Sequence, residues 1–199
     1  IDLHDPRRPK VAGELKIPGY SAYLHPWGED RLIGIGYDVG LDGEIAYKKG
    51  LKVSLFDIAD PNRPAELSTL ILGSRGSSTE LSYNPRSLLV SLSKSLLAFP
   101  ALLTETTTDS RLEYGQPKFQ GLIILTIAND RVVLRGGVTH ADPAGPAPDE
   151  DPYLVYYGDD AIRRGATIGN TLFTLSNRQV IASGLDTLAR IGTVELPKA

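Results

Sequence analysis

The run LKVSLFDIADPNRPAELSTLIL, residues 51–72, alternates apolar side chains at Leu51, Val53 and Leu55, breaks at Asp60-Pro61-Asn62-Arg63-Pro64 and resumes at Leu67. Alternation with period two marks a half-buried strand. Pro61 and Pro64 fix their own φ and withhold two backbone donors, so a strand ladder has to stop between them. The stretch predicts two antiparallel strands joined by a stiff turn. The same arrangement starts the chain: Ile1-Asp2-Leu3-His4-Asp5-Pro6-Arg7-Arg8-Pro9 aligns with Phe56-Asp57-Ile58-Ala59-Asp60-Pro61-Asn62-Arg63-Pro64 at an offset of 55 residues. Looser copies span residues 122–140, turning at Asn129-Asp130, and residues 180–196, turning at Asp186-Thr187. Repetition constrains the fold more than any other feature, because a unit this small buries its faces only against its neighbours.

Between these copies lies a second strand pair. It occurs at residues 22–37 with a turn at Gly28-Glu29-Asp30, at 86–101 with Ser93-Lys94, and at 164–176 with Gly169-Asn170. Joined, the two pairs make a four-stranded meander repeated every 55 to 75 residues. No stretch carries a helical period, and 20 glycines and 14 prolines punctuate the chain throughout. The expected fold is all-β: a β-propeller fragment of about three and a half four-stranded antiparallel blades. One partial domain would cover residues 1–199, with a half blade at 1–17 and blades at 20–73, 80–140 and 160–197. A β-sandwich or an open meander is the alternative.

Charge and composition remove several functions. A net charge of -3 lacks the basic footprint of a nucleic-acid binder. No apolar run approaches the ~18 residues of a membrane span, so no direct membrane insertion is expected of this segment. The chain has no cysteine, which excludes disulfides, Cys-ligated zinc and a thiol nucleophile, and fits an extracytoplasmic protein. Because Ile1 opens inside a repeat, the chain is expected to be a piece of a longer protein.

The segments PKVAGELKIPGYSAYLHPWGEDRLIGIGYD (residues 9–38), GLKVSLFDIADPNRP (50–64), GNTLFTLSN (169–177) and LDTLARIGTVELP (185–197) carry a resemblance. The chain resembles the bacterial and archaeal family of secreted proteins with a C-terminal β-propeller domain distantly related to WD40 repeats. That resemblance implies a propeller and an extracytoplasmic location, and it brings no catalytic residues with it. Residues 104–118 and 141–160 match no motif of that family.

In such a meander, with strands a to d running outward from the axis, a–b and c–d turns share one rim and b–c and d–a connections share the other. The first set is short here, whereas the connections at 38–50, 73–84, 104–118 and 141–160 are long and fall together on the second rim. Long loops gathered on one rim point to a binding face. The last of them, ADPAGPAPDEDPYLVYYGDD, is acidic and tyrosine-rich, and His140 opens it. Candidate binding residues are therefore His140, Asp142, Asp149, Glu150, Asp151, Tyr153, Asp159 and Asp160. Oxygen-rich acidic loops hold Ca²⁺ through six to eight oxygen ligands, which makes Ca²⁺ the one cofactor to consider. The stretch is not an EF-hand, and its prolines equally suit a solvated linker.

No catalytic set is visible. There is no Gly-x-Ser-x-Gly elbow, no Walker lysine after the glycines at 73–76, and no His-x-His or His-x-x-x-His pair. Gly34-Ile35-Gly36 suits strands crowding an axis better than a dinucleotide loop. His25 is expected to pack on Trp27 or to cap a turn, and Lys48-Lys49 and Arg163-Arg164 read as solvated faces. The expected function is a binding module of a secreted or cell-envelope protein, with a protein or carbohydrate partner on the long-loop rim. Self-association through open blade faces is also expected. A hydrolase- or lyase-type propeller enzyme and a structural spacer are the rival readings.

Overall fold

The computed structural model describes residues 1–108, 110–141 and 157–197. The unit at 51–72 becomes β3 (Ile45–Asp57) and β4 (Ala65–Leu72), preceded by β1 (Tyr20–Pro26) and β2 (Arg31–Asp42). These four pair in chain order as one antiparallel sheet. A second sheet holds β5 (Ser78–Thr79), β6 (Leu89–Ser91), β7 (Leu96–Glu105), β8 (Gln116–Ala128) and β9 (Arg131–Val138), with β5 and β6 both pairing to β7. A third holds β10 (Arg164–Ile168), β11 (Thr171–Leu175), β12 (Gln179–Gly184) and β13 (Arg190–Glu195), again in chain order. Three meanders in series, stacked face to face, are the blades of a partial β-propeller.

The central strands read as unbroken apolar runs because they serve two interfaces at once. Along β7, Leu97 and Phe99 pack with Ile123 and Leu125 of β8 against Ile33, Ile35, Val53 and Leu55 of the first blade. Leu96 and Ala98 point the other way, packing with Leu122 and Ile124 against Ile162 and Leu172 at the third blade. Burying each such side chain contributes roughly 1.5–3 kcal/mol, so these two seams hold the blades together. Gly36 meets the crowding expected of the inner strands: a Cβ there would lie 2.0 Å from the Tyr20 carbonyl oxygen and 2.7 Å from the Ala22 nitrogen. Backbone cannot yield as a side-chain tip does, so only glycine lets β1 approach β2 at that point.

The repeated proline turn is conserved between its two copies down to single hydrogen bonds. Asp60 Oδ1 accepts the Asn62 amide at 3.0 Å and its Oδ2 accepts Arg63 Nε at 2.9 Å. Asp5 does the same for the Arg7 amide at 3.0 Å and Arg8 Nε at 3.2 Å. The flanking strands differ. Residues 57 and 65 continue into β3 and β4, whereas the first copy retains only a bridge between Asp2 and Lys10. A strand pair with no further sheet beside it is marginal on its own, so the local turn forms while the ladder does not.

The short-turn rim is bolted by charge. Arg31 at the start of β2 donates to both carboxylate oxygens of Asp130, at 2.8 and 3.1 Å, and to Asp57 at 3.1 Å. It thereby ties the first blade to the β8–β9 turn of the second, and it holds the Asp130 carboxyl below its ordinary range. The next seam repeats the device. Arg135 on β9 donates to Asp186 at 2.9 Å, and Asn170 donates to the same carboxylate at 2.6 Å. Among the described residues, no helix is long and apolar enough to cross a membrane.

Candidate functional site

The opposite rim carries the longer connections, and their structure varies. Residues 38–50, expected as a connection, are a hairpin. β2 and β3 run on past the sheet, pairing Val39 with Lys48, Gly40 with Tyr47 and Asp42 with Ile45, and they turn at Gly43 with φ 60°. The alternation of Val39, Leu41, Ile45 and Tyr47 carries the strand pattern through, and Asp42-Gly43 supplies the turn. Residues 106–108 and 110–115 lie between β7 and β8, and the link out of β4 passes through 3₁₀ turns at Glu80–Ser82 and Pro85–Ser87.

Cations and tyrosines interleave where these connections meet. Tyr20 and Tyr37 stand with ring centroids 5.7 Å apart, and Lys48 Nζ lies 4.2 Å over the Tyr37 ring. A hydrogen bond with Tyr20 holds the Lys48 ammonium above its ordinary value. Next to it the Arg75 guanidinium sits 4.2 Å over Tyr114 and 5.7 Å over Tyr47. Cations over aromatic faces are attracted by the ring quadrupole, and Arg and Tyr are the side chains most often decisive in interfaces. Between β7 and β8, Glu113 ties residues 107 and 108 down. Glu113 accepts the amides of Thr107 and Thr108 at 2.7 and 3.0 Å and both threonine hydroxyls, which drops its carboxyl to about 2.

Nearer the axis, a pocket of about 210 Å³ opens between the second and third blades. Its walls include Glu80, Tyr83, Gln120, Tyr157 and Arg163. Gln120 shapes it by pairing with the backbone of Ile162 in both directions, at 3.0 and 3.2 Å, as a strand neighbour would. Asn84 donates to Glu80 Oε1 at 2.6 Å, while Glu80 Oε2 stands 3.8 Å from Arg163 Nη1. Ser78 and Tyr157 join hydroxyls at 3.2 Å across its upper edge.

Of the residues singled out from sequence, His140 is an interior group. It is 8% exposed, its Nε2 lies 2.8 Å from Thr174 Oγ1 on β11, and its Nδ1 is buried without a partner. Burial pulls its pKa down to about 4, so the ring is neutral. Asp160 accepts from Arg178 at 3.3 Å and from Gln179 at 3.1 Å, and Asp159 accepts from Asn177 at 3.4 Å. Both therefore brace the β11–β12 turn. Asp142, Asp149, Glu150, Asp151 and Tyr153, with the Ca²⁺ expectation that falls on them, lie outside the described residues. Among the described residues, no three His, Asp or Glu side chains converge in a way that could hold a metal ion.

Sequence reading missed Tyr20, Tyr37, Tyr47, Lys48, Arg75, Glu80, Tyr114 and Arg163. The signal for the rim set was present: tyrosines and cations recur at the strand ends that flank the long connections. The Glu80–Arg163 approach spans 83 positions and had no local signal.

A stretch of 67 residues is 57% identical to part of an uncharacterized protein of Methanocaldococcus jannaschii, covering 34% of this chain and 10% of that protein. A stretch of 72 residues is 43% identical to part of an uncharacterized protein of Archaeoglobus fulgidus, covering 36% of this chain and 10% of the relative. The matched stretch is thus about a tenth of the length of either relative. The family model described as the beta propeller domain matches residues 1–188, and with three stacked meanders already in view, the chain belongs to that family.

Proposed function

We propose that this chain is the binding module of a secreted or cell-envelope protein and engages its partner, a protein or a carbohydrate, through the rim of long connections. A β-propeller domain supports an interaction-type role in general. The observation that carries the finer reading is the contrast between the rims. The short-turn rim commits its charged groups to blade-to-blade clamps through Arg31, Asp130, Arg135 and Asp186. The long rim has such a clamp in Arg111 on Asp42, but it also holds Lys48 over the buried Tyr37 ring and Arg75 over the exposed Tyr114 ring, and Arg and Tyr are the side chains enriched where interfaces gain their energy. Placement outside the cytoplasm rests on the family resemblance and on a composition free of cysteine.

A photo-crosslinking side chain placed at Tyr114 tests the reading in the producing cell. It should give a discrete adduct, and the same side chain at Glu29 on the short-turn rim should give none. Equal adducts from both rims, or none from Tyr114, would overturn it.

A further inference from the structure

Among the described residues, the pocket between the second and third blades is walled by positions 78–83 and 100–102, by Gln120, and by positions 157–163. Its polar pair is set at an unusual spacing. Glu80 is largely buried, has one oxygen satisfied by Asn84, and turns the other toward Arg163 at 3.8 Å. That separation is too long for a direct hydrogen bond. The group that closes it must accept from the guanidinium and donate to the carboxylate, and a hydroxyl does both. The opposite charges already balance, so an ionic ligand would have to break the pair to bind, whereas a neutral one would not. A bridging water meets the polar requirement but leaves two aromatic walls unused: Tyr83 is 77% exposed and Tyr157 is 53% exposed at the mouth. A side chain with a broad apolar face and a polar tip fits a ligand with the same division, C–H on one side and hydroxyls at the edge.

We infer that this pocket holds one neutral sugar ring of a glycan, a ring hydroxyl bridging Glu80 and Arg163 and the ring face lying against Tyr83. The inference rests on the reading of the long rim as the binding face and names the ligand class for its axial end. At about 210 Å³ the cavity is smaller than the ~300 Å³ at which sites for drug-sized ligands begin, which suits a single ring with its neighbours outside.

Saturation-transfer NMR on the intact chain tests this, with methyl glycosides of glucose, galactose, mannose and N-acetylglucosamine as probes and methyl glucuronide as the charged competitor. At least one neutral glycoside should bind, in about the millimolar range expected of one ring. Tyr83→Ala should weaken it about threefold to tenfold, the loss of one stacked face. Glu80→Gln removes the negative partner and leaves Arg163 uncompensated, so it should reverse the order and favour the glucuronide. A variant that only loosened the fold would weaken both probes together, and thermal melts of both variants exclude that case. No binding by any neutral glycoside, or binding indifferent to both substitutions, would overturn the sugar site. If Tyr114 still crosslinks a protein partner, the rim reading survives that result; if it does not, both fall.

Discussion

His140 gains nothing from ionising. Between its folded value of about 4 and its ordinary 6.5, the unfolded chain takes up a proton that the folded chain refuses. Stability contributed by the neutral ring is therefore complete above about pH 6.5 and is lost as pH falls toward 4, most of it above about pH 5, where the carboxylates held low at Asp60, Glu113, Asp130 and Asp186 start to lose theirs. Asp160 and Arg190 act on the ring with opposite signs, and desolvation outweighs both. The shift corresponds to at most about 3 kcal/mol, less whatever solvent screening reaches the ring. His140→Gln keeps a hydrogen-bonding partner for Thr174 and cannot titrate. Its urea midpoint should hardly change between about pH 7 and about pH 4.5, while that of the parent falls; parallel profiles would show that another group titrates in this window. The local sequence showed His140 only as the residue that opens an acidic loop. Its burial depends on Thr174, 34 positions away, and no pattern near it carries that information.

Elements were legible where neighbouring residues alone decide them. The Asp60-Pro61-Asn62-Arg63-Pro64 turn and its copy at Asp5 form the same bonds, because an aspartate, a proline and an arginine at that spacing need nothing else. The strands around the first copy were not legible in the same way, since a ladder needs a sheet beside it. The hairpin at 38–50 was readable from Asp42-Gly43 between alternating apolar residues, but its length suggested a loop. Its outer strands pair only with each other and expose Leu41 and Ile45, and residues 41–46 are tied to the second blade by the Arg111–Asp42 ion pair, so the sheet's own ladders do not depend on them. Replacing residues 41–46 by Asn-Gly closes the ladder at the Gly40–Tyr47 pair with a two-residue turn. The thermal midpoint should stay within the scatter of surface changes, about 0.5 kcal/mol, while the Tyr114 adduct falls sharply. A variant that melts early would make the ribbon part of the scaffold; one that keeps its full adduct would take it out of the binding face.

At the scale of the whole molecule, the number of blades followed from the repeats, but which side of each blade is covered did not, because residues 96–99 are apolar on both faces of the strand. The end blades show what that leaves. On the third blade Leu172 faces the second, so Phe173, and with it Ile168 and Val194, faces away; Ile168 is 71% and Val194 64% exposed. On the first blade Leu24, Leu32 and Phe56 face away from the second. Residues 15–17 lie over them only partly, leaving a cavity of about 490 Å³. Two apolar faces at opposite ends of one stack favour a head-to-tail contact between copies, which closes a ring or propagates as a fibre according to the angle between blades. The 199-residue chain should therefore gain mass with concentration in light scattering. Ile168→Asp and Leu24→Asp, on different faces, should each restore the mass of a single chain, because a head-to-tail contact needs both ends. If only one of the two acts, the contact is symmetric and uses one face twice, and a mass independent of concentration would mean that neither face associates with a second copy.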